Sequence, residues 1–323
     1  MTSAAKSNEQ LLDCVDPKHM IGFGIERAYD NTSQIVVLYA DVGERFNLCG
    51  FRRKGGVCFE IGIAEQNMIG VAAGLAHEGS IPFAITYAPF ITGRVFDQIK
   101  ANVGEMKLPI KLIGATSGLS GGDLGPLLMC TEDVALMRTI PNLIVASPAD
   151  GLEIVKCIQA AAKDPRPVYI RITGGKRLPP VYREDYPFEF GRAVRLREGE
   201  RILVVSTGAV TAQVLEAADR LEAEGHPAAV LNMHTVKPLD TQALDRYLNF
   251  DVFVTVEEHS VYGGLGGAVA EYLATKRIRP ALVRLGIADR YFAADHYENL
   301  LEEAGLSAQR IYKTLASLAA GER

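Results

Sequence analysis

Residues 59–76 read Phe59-Glu60-Ile61-Gly62-Ile63-Ala64-Glu65-Gln66-Asn67-Met68-Ile69-Gly70-Val71-Ala72-Ala73-Gly74-Leu75-Ala76. Glu65 opens a run rich in glycine and alanine, and this pattern predicts a helix that packs very closely against its neighbours. Such a carboxylate has few polar neighbours and little water. Two roles fit Glu65: a buried group that shares a proton with a ligand, or a carboxylate that the helix dipole favours at an N-terminus. The residue types alone leave both roles open.

Apolar segments of strand length alternate with segments of helical period on both sides of this stretch. The strand segments are rich in Val and Ile and nearly continuous in apolar character, as strands buried on both faces are. This alternation predicts an α/β fold with mostly parallel sheets. The predicted strands are 34–42, 81–87, 110–117, 142–149, 167–172, 201–207, 228–234, 251–258 and 281–287, and the predicted helices are 64–77, 94–106, 151–163, 210–224, 266–276 and 308–319.

The length of 323 residues favours two domains. The clearest boundary is the segment 177–190, which has three prolines, several charges and no hydrophobic period, and which therefore indicates a linker. We predict an N-terminal arm at 1–19, a first domain at 20–176, this linker, and a second domain at 191–323.

Composition excludes several classes of protein. The net charge is −5, so no broad basic field is available to neutralise phosphates and nucleic acid is not expected as a partner. No apolar run approaches the roughly 18 residues of a membrane span, and the N-terminus has no apolar signal segment. The five cysteines are scattered without a Cys-x-x-Cys pair. We therefore expect a reducing, cytoplasmic location, with neither a disulfide framework nor a metal site.

Two glycine-rich motifs follow predicted strands. Gly264-Leu265-Gly266-Gly267-Ala268-Val269 has Val269 where a dinucleotide-binding loop needs Gly or Ala, so we interpret it as a tight turn. Ser120-Gly121-Gly122-Asp123-Leu124-Gly125 lacks the Gly-Lys of a phosphate loop, but it follows a parallel strand and should therefore line a ligand site at the carboxyl edge of the sheet. The histidines at strand ends, His234 and His259, are expected to be structural.

The stretch around Glu65 resembles the pyrimidine-binding domain of thiamine-diphosphate enzymes, and its Ile-Ala-Glu-Gln-Asn-Met resembles the glutamate motif of transketolases and deoxyxylulose-phosphate synthases. The resemblance runs in order from about residue 20 to the end, with similar segments at 87–99, 135–150, 206–208, 236–240 and 257–264. It implies a doubly wound, parallel pyrimidine-binding domain followed by a smaller α/β transketolase C-terminal domain.

The same resemblance implies roles for four residues. Glu65 is the catalytic group and hydrogen-bonds N1′ of the cofactor's pyrimidine. Tyr87 and Phe90 match positions that pack on the aminopyrimidine, and a flat apolar wall suits a flat ring; the alternative for both rings is ordinary core packing. Arg94 belongs to the same cofactor-binding segment. The implied reaction is transfer of a two-carbon ketol unit from a ketose donor to an aldehyde acceptor.

The substrate side departs from the family pattern. Ser117 and Leu128 stand where typical members have histidines, and Gly174 stands where a phosphate-binding arginine often follows the strand. Asp123 matches an aspartate that reads sugar hydroxyls, and Arg171, Lys176 or Arg177 could replace the missing phosphate ligand. These departures imply an atypical sugar or keto substrate.

The family holds the cofactor's diphosphate through a divalent metal, with a Gly-Asp-Gly…Asn motif in a separate domain, and no Gly-Asp-Gly occurs here. The resemblance therefore implies the C-terminal, small subunit of a split transketolase. A second subunit would bind the diphosphate and Mg²⁺, in an α2β2 assembly. Two alternatives stay open: the β subunit of a 2-oxo acid dehydrogenase, and a non-catalytic assembly subunit.

Overall fold

A computed structural model describes residues 15–321. Most of the predicted N-terminal arm lies outside this range. The strands are β1 Ile35–Tyr39, β2 Val57–Glu60, β3 Ile81–Tyr87, β4 Lys111–Ala115, β5 Ile144–Ala146, β6 Val168–Arg171, β7 Val194–Arg197, β8 Ile202–Thr207, β9 Ala229–Asn232, β10 Thr235–Lys237, β11 Val252–Ser260 and β12 Ala281–Ile287. The α-helices are α1 Pro17–Tyr29, α2 Cys49–Arg53, α3 Glu65–His77, α4 Ala88–Ile91, α5 Phe96–Ile99, α6 Asp133–Arg138, α7 Gly151–Lys163, α8 Thr211–Ala223, α9 Thr241–Asp245, α10 Leu265–Ala274, α11 Tyr297–Glu303 and α12 Ala308–Ala319.

The first sheet has seven strands in the order β10-β5-β6-β4-β3-β1-β2, and every pair is parallel except β10–β5. Strands β4 and β6 are buried along their whole length, and their sequences are apolar except for the terminal charged residues Lys111 and Arg171. Apolar clusters cover both faces of the sheet. The chain runs from β1 outward to β2 and then back to β3 on the other side of β1. This reversal creates a crevice at the carboxyl ends of β1 and β3, where open α/β sheets bind ligands.

The second sheet has five strands in the order β12-β11-β8-β9-β7, with only the β7–β9 pair antiparallel. The predicted α/β class, with a doubly wound first sheet and a smaller second one, is confirmed. Strand β10 comes from the second half of the chain but pairs with β5 of the first sheet. Main-chain hydrogen bonds therefore join the two halves directly.

Sequence analysis did not predict the short helices α2, α4, α6, α9 and α11, the strands β2, β7 and β10, or helix α1. Strands β2 and β7 are edge strands with partly exposed side chains, and β10 has three residues, so none forms an apolar run. Helix α1 begins at Pro17, inside the predicted arm, with Asp16 as its N-cap. The pattern carries little signal there because edge strands and short strands bury few side chains.

The predicted helix at 94–106 is wrong in detail. The backbone forms a 3₁₀ turn at Gly93–Val95, then α5, and then a π-helix at Lys100–Glu105. Gly104 packs so tightly that a Cβ atom there would lie 2.4 Å from Cγ2 of Ile140. The Nδ2 group of Asn142 donates to the Gly104 carbonyl at 3.0 Å. These contacts from a neighbouring segment hold the backbone in the wider turn, and the local sequence does not encode them.

The predicted linker contains neither helix nor strand, yet it is firmly attached. The Tyr182 amide donates to Oδ2 of Asp150 at 2.9 Å, and its hydroxyl donates to Oε1 of Glu153 at 2.9 Å. Asn232 of β9 donates to the same Glu153 carboxylate. Burial raises the pKa of Asp150 to about 6. The two sheets are thus tied together through α7 and the linker as well as through β10.

Candidate active site

Glu65 and Tyr87 lie at the crevice of the first sheet. Glu65 is the first residue of α3, the helix that returns the chain to β3, and Tyr87 is the last residue of β3. Tyr87 pairs with Ala115, the last residue of the neighbouring strand β4. The segment that follows β4 therefore begins directly beside the segment that follows β3. The topology therefore places the predicted cofactor-binding residues and the predicted substrate-binding residues at the same edge of the first sheet.

The Glu65 carboxylate is buried, with 3% of the residue exposed. The carboxylate is paired with Arg94, whose Nη1 atom lies 3.0 Å from both Oε1 and Oε2. Arg94 itself is 42% exposed and reaches inward from the 3₁₀ turn after α4. A carboxylate at this depth is favoured by the N-terminal end of α3 and by the guanidinium charge.

Phe90 forms the flat wall beside this ion pair. The guanidinium carbon of Arg94 lies 3.8 Å from the centre of the Phe90 ring, and the Tyr87 and Phe90 rings are 6.4 Å apart at an angle of 58°. Both aromatic residues are partly buried, and Tyr87 also packs against the core on one face of the sheet. The pocket thus receives a flat, positively charged group that donates N–H bonds to Glu65 and lies on Phe90. An aminopyrimidine that carries a ring proton has the same shape and donor chemistry.

The segment after β4, residues 117–131, is called here the 117–131 loop. It begins after Thr116, a β-branched residue held at φ +57°, which is a strained conformation of the kind found at functional sites. Ser117 is buried and its hydroxyl donates to the Gly114 carbonyl at 2.9 Å. Asp123 is exposed and Leu128 is partly buried. Of the predicted substrate residues on this loop, Asp123 is the one whose polar atoms are open to a ligand.

Arg171 is not part of the open site. It is fully buried, and its Nε atom donates to Asp133 at 3.0 and 2.9 Å. Its Nη2 atom donates to the carbonyl of Glu258 at 2.7 Å. Burial opposes the charge of Arg171, but the Asp133 and Glu258 carboxylates more than offset this and raise its pKa. The prediction that Arg171 binds substrate is therefore corrected: its guanidinium is engaged in an internal ion pair.

Two carboxylates at the crevice were missed by sequence analysis. Asp41 follows β1 with a left-handed backbone, φ +53°, and its amide donates to Oε1 of Glu60 at 2.7 Å. The same Glu60 oxygen accepts from the Gly62 amide at 2.8 Å, three residues before Glu65. An aspartate directly after a predicted strand could have indicated this turn, because Asp is among the residues that tolerate a left-handed backbone. These contacts fix the turn that leads into α3.

The other motifs are structural. The carboxylate of Glu257 accepts from the amides of Leu265 at 2.6 Å and Gly266 at 2.7 Å, so it fills the N-terminus of α10 where a bound phosphate would sit. The interpretation of that glycine motif as a tight turn agrees with this contact. His259 is buried, with Nδ1 at 2.7 Å from the Ser260 carbonyl. His234 is buried and stacks on Phe188.

Two absences concern residues 15–321 only. No three side chains of His, Cys, Asp or Glu in this range are placed to share a metal ion. None of the helices in the same range has the length and apolar character needed to cross a membrane.

Comparison with known proteins agrees with this architecture. Residues 19–176 match the family "Transketolase, pyrimidine binding domain", and residues 191–311 match "Transketolase, C-terminal domain". The putative transketolase C-terminal section of Methanocaldococcus jannaschii is 35% identical over 292 residues, covering 90% of each chain. The 6-deoxy-6-sulfo-D-fructose transketolase subunit SqwH of a Clostridium species is 37% identical over 284 residues, covering 87% of each chain.

A solved structure described as a split gene transketolase, inactive beta4 tetramer, has a TM-score of 0.83 and 36% identity, and the match covers 96% of this chain and 99% of that one. The fold, the order of the two matched domains and these relatives agree. The chain therefore belongs to the transketolase family and corresponds to the pyrimidine-binding and C-terminal domains of that family.

Proposed function

We propose that this chain binds the pyrimidine half of thiamine diphosphate and works with a second subunit to transfer a two-carbon ketol unit from a ketose donor to an aldehyde acceptor. The observation that carries the proposal is the buried carboxylate of Glu65 at the crevice of the first sheet, paired with Arg94, whose guanidinium lies over the Phe90 ring. A buried carboxylate beside a flat apolar wall suits a group that must hold a proton on a planar heterocycle.

The residues present fit the pyrimidine of this cofactor. Glu65 would accept a hydrogen bond from the protonated N1′ atom, and Phe90 and Tyr87 would pack on the ring. The flat guanidinium of Arg94 lies between Glu65 and Phe90, which supports this placement. When bound, thiamine diphosphate supplies the carbanion chemistry that cleaves and forms the carbon–carbon bonds. The contribution of this chain is to place the ring, hold the N1′ proton and exclude water.

A second subunit is needed for the other half of the site. The transketolase family depends on thiamine diphosphate, and the described residues offer no cluster for a metal that could hold the diphosphate. Large apolar side chains are exposed around the start of α3: Val57, Phe59 and Ile63. Exposed apolar surface next to a site is typical of a subunit interface. We propose that the subunit carrying the diphosphate and Mg²⁺ docks there, in an α2β2 assembly, because closed two-fold symmetry is the common solution.

The substrate is proposed to be atypical. Ser117 uses its hydroxyl internally, Leu128 is apolar, and Arg171 is buried in an ion pair. The loop therefore lacks the two histidines that sugar phosphates meet in typical members, Gly174 stands in place of the arginine, and of the proposed replacements Lys176 and Arg177 remain. The name of the Clostridium relative also specifies a substrate other than a standard sugar phosphate. Each lost charge-assisted hydrogen bond is worth roughly 1.5–3 kcal/mol.

The test is reconstitution of this chain with a subunit that carries the diphosphate-binding domain, followed by NMR detection of two-carbon transfer. We expect transfer only when both subunits are present, and a kcat/KM about two to four orders of magnitude below that of an ordinary transketolase with xylulose 5-phosphate and ribose 5-phosphate. Ordinary efficiency would exclude the atypical substrate and leave the transfer reaction intact. Oxidation of a 2-oxo acid instead of ketol transfer would favour a 2-oxo acid dehydrogenase, and no turnover with any donor would favour a non-catalytic subunit.

A further inference from the structure

Both ends of the 117–131 loop are attached to the last residues of β11, in the second sheet. At one end, the Leu119 amide donates to Oε1 of Glu258 at 2.7 Å. At the other end, the Ser260 amide donates to the Thr131 carbonyl at 2.7 Å. The two ends also bond to each other, since the Gly118 amide donates to the Cys130 carbonyl at 2.8 Å. The loop leaves the first sheet, but its base is held by the C-terminal domain.

Glu258 has little freedom to move. It is fully buried, and its second oxygen accepts from the hydroxyl of Tyr297 at 2.7 Å. Its main-chain carbonyl accepts from Arg171, which is itself paired with Asp133. Gly118 has φ +62°, and a Cβ atom there would lie 2.4 Å from Oε1 of Glu258. The loop base is therefore shaped to fit against this one carboxylate.

The segment that carries Tyr297 also contacts the middle of the loop. The Asp295 amide donates to the Gly122 carbonyl at 3.2 Å, and a Cβ atom on Gly122 would lie 2.0 Å from Cδ1 of Leu300. Gly122 immediately precedes Asp123, the exposed acidic residue of the loop. Contacts from the C-terminal domain thus reach the residue next to the open carboxylate.

We propose that Glu258 and Tyr297 are positioning residues for the two-carbon transfer, which fix the 117–131 loop so that Asp123 meets the substrate in one geometry. A loop with several glycines has many backbone conformations. If it were not anchored, the entropy lost in ordering it would weaken substrate binding. Small displacements of a substrate-contacting group are expensive in transfer reactions. The expected effect on kinetics rests on the proposed function, whereas the anchoring of the loop by Glu258 does not.

The test compares two tyrosine variants in the reconstituted assembly. Tyr297→Phe removes one hydroxyl–carboxylate bond at the loop base. Tyr272→Phe is the matched control, because the Tyr272 hydroxyl donates to Asp245 at 2.5 Å in the same domain, away from the loop. For Tyr297→Phe we expect KM for the acceptor to rise by up to roughly tenfold, the usual effect of losing one intramolecular hydrogen bond, while kcat and thiamine diphosphate affinity change little. For Tyr272→Phe these parameters should stay within about twofold.

Amide hydrogen exchange gives a readout independent of turnover. In Tyr297→Phe, and more strongly in Glu258→Ala, exchange at Leu119 and through residues 117–131 should accelerate, whereas Glu258→Gln should restore protection because it keeps an acceptor oxygen. Unchanged loop exchange in Tyr297→Phe would overturn the inference, and so would an unchanged acceptor KM in an active assembly. If the wild-type assembly transfers no two-carbon unit, the proposed function fails, and the exchange experiment still reports whether Glu258 holds the loop.

Discussion

The Nη1 atom of Arg94 lies 3.0 Å from both carboxylate oxygens of Glu65, across 29 residues of sequence. The same guanidinium stacks on Phe90 at 3.8 Å. The ion pair joins an almost fully buried acid to a base that is 42% exposed. Arg94 thus pairs with Glu65 and covers the face of the Phe90 ring against which we propose the pyrimidine packs.

A double-mutant cycle measures this pair. Arg94→Met and Glu65→Gln remove the two charges singly and together, and urea unfolding gives the stability of each variant. We expect a coupling free energy of about 1 kcal/mol, because the acid is buried but Arg94 keeps much of its contact with water. Additive effects, within about 0.3–0.5 kcal/mol, would show that the pair contributes nothing to stability.

Glu65→Gln also tests the catalytic role. The amide keeps the shape of the side chain but cannot stabilise a proton on the cofactor's ring nitrogen. In the reconstituted assembly we expect kcat to fall by about 10²–10⁴, the usual range for loss of a general acid–base group. Light scattering should show the same assembly as wild type. Glu78→Gln, at the exposed C-terminal end of the same helix, is the control and should remain active. Retention of most activity in Glu65→Gln would remove Glu65 from the mechanism.

Ile63→Asp tests the proposed docking surface. Ile63 is 74% exposed two residues before Glu65, whereas Ile278 is 70% exposed in the turn after α10. If the second subunit covers Ile63, the variant loses roughly 1.5–3 kcal/mol of apolar burial and must bury a charge. We expect at least tenfold weaker association by calorimetry, with light scattering showing α2β2 for wild type only. Ile278→Asp should associate normally, and equal effects of the two substitutions would contradict the assigned surface.

The stability of the chain should depend on the protonation of Glu258. Burial raises the pKa of this carboxyl to about 7 from the ordinary 4.5, against the opposing influence of Arg171 and the hydrogen bonds from Tyr297 and Leu119; Asp133 acts in the same direction as burial. Because the folded-state pKa is raised, the stabilising contribution is present below about pH 4.5 and is lost as pH rises toward 7.

The Glu258→Gln variant has no titrating group at this position, so its stability no longer depends on the protonation of residue 258. Between about pH 4.5 and 7, wild type should lose stability relative to the variant by up to about 1.4 kcal/mol per pH unit. The measurement is urea unfolding of both chains at pH 5, 6, 7 and 8. The difference between the two chains cancels the contributions of Asp150 and other titrating groups. Parallel pH profiles would show that Glu258 keeps the same pKa in the folded and unfolded states.

Local pattern was sufficient for most of the parallel strands, although it missed the edge strand β2. Strand β3 is buried except at its two ends and was predicted at its observed limits, Ile81–Tyr87. Ala281–Ile287 was also predicted at its observed limits from its apolar residues, although it is an edge strand whose side chains are mostly partly exposed. Glu65 was predicted because a carboxylate that opens a Gly/Ala helix is unusual, and its neighbours resemble a known motif. Helix α7 was predicted with its cap, since Asp150 precedes it and accepts from the Glu153 amide at 2.8 Å.

Tertiary structure decided which charges are open to a ligand. Arg171 ends strand β6, a position where a ligand-binding residue is expected, but its guanidinium is paired with Asp133, 38 residues away. The sequence around Glu258 gives no indication that its carboxylate anchors a loop, because the Leu119 amide that it accepts from lies 139 residues away. Burial and hydrogen bonding between distant segments determine whether a charged side chain is free to bind a ligand or is held in an internal contact. These contacts exist only after the two sheets have packed together. The sequence therefore determined the fold class and proposed Glu65 for the site, and the packing of the C-terminal domain against the first sheet determined which neighbouring charges are held internally and how the 117–131 loop is anchored.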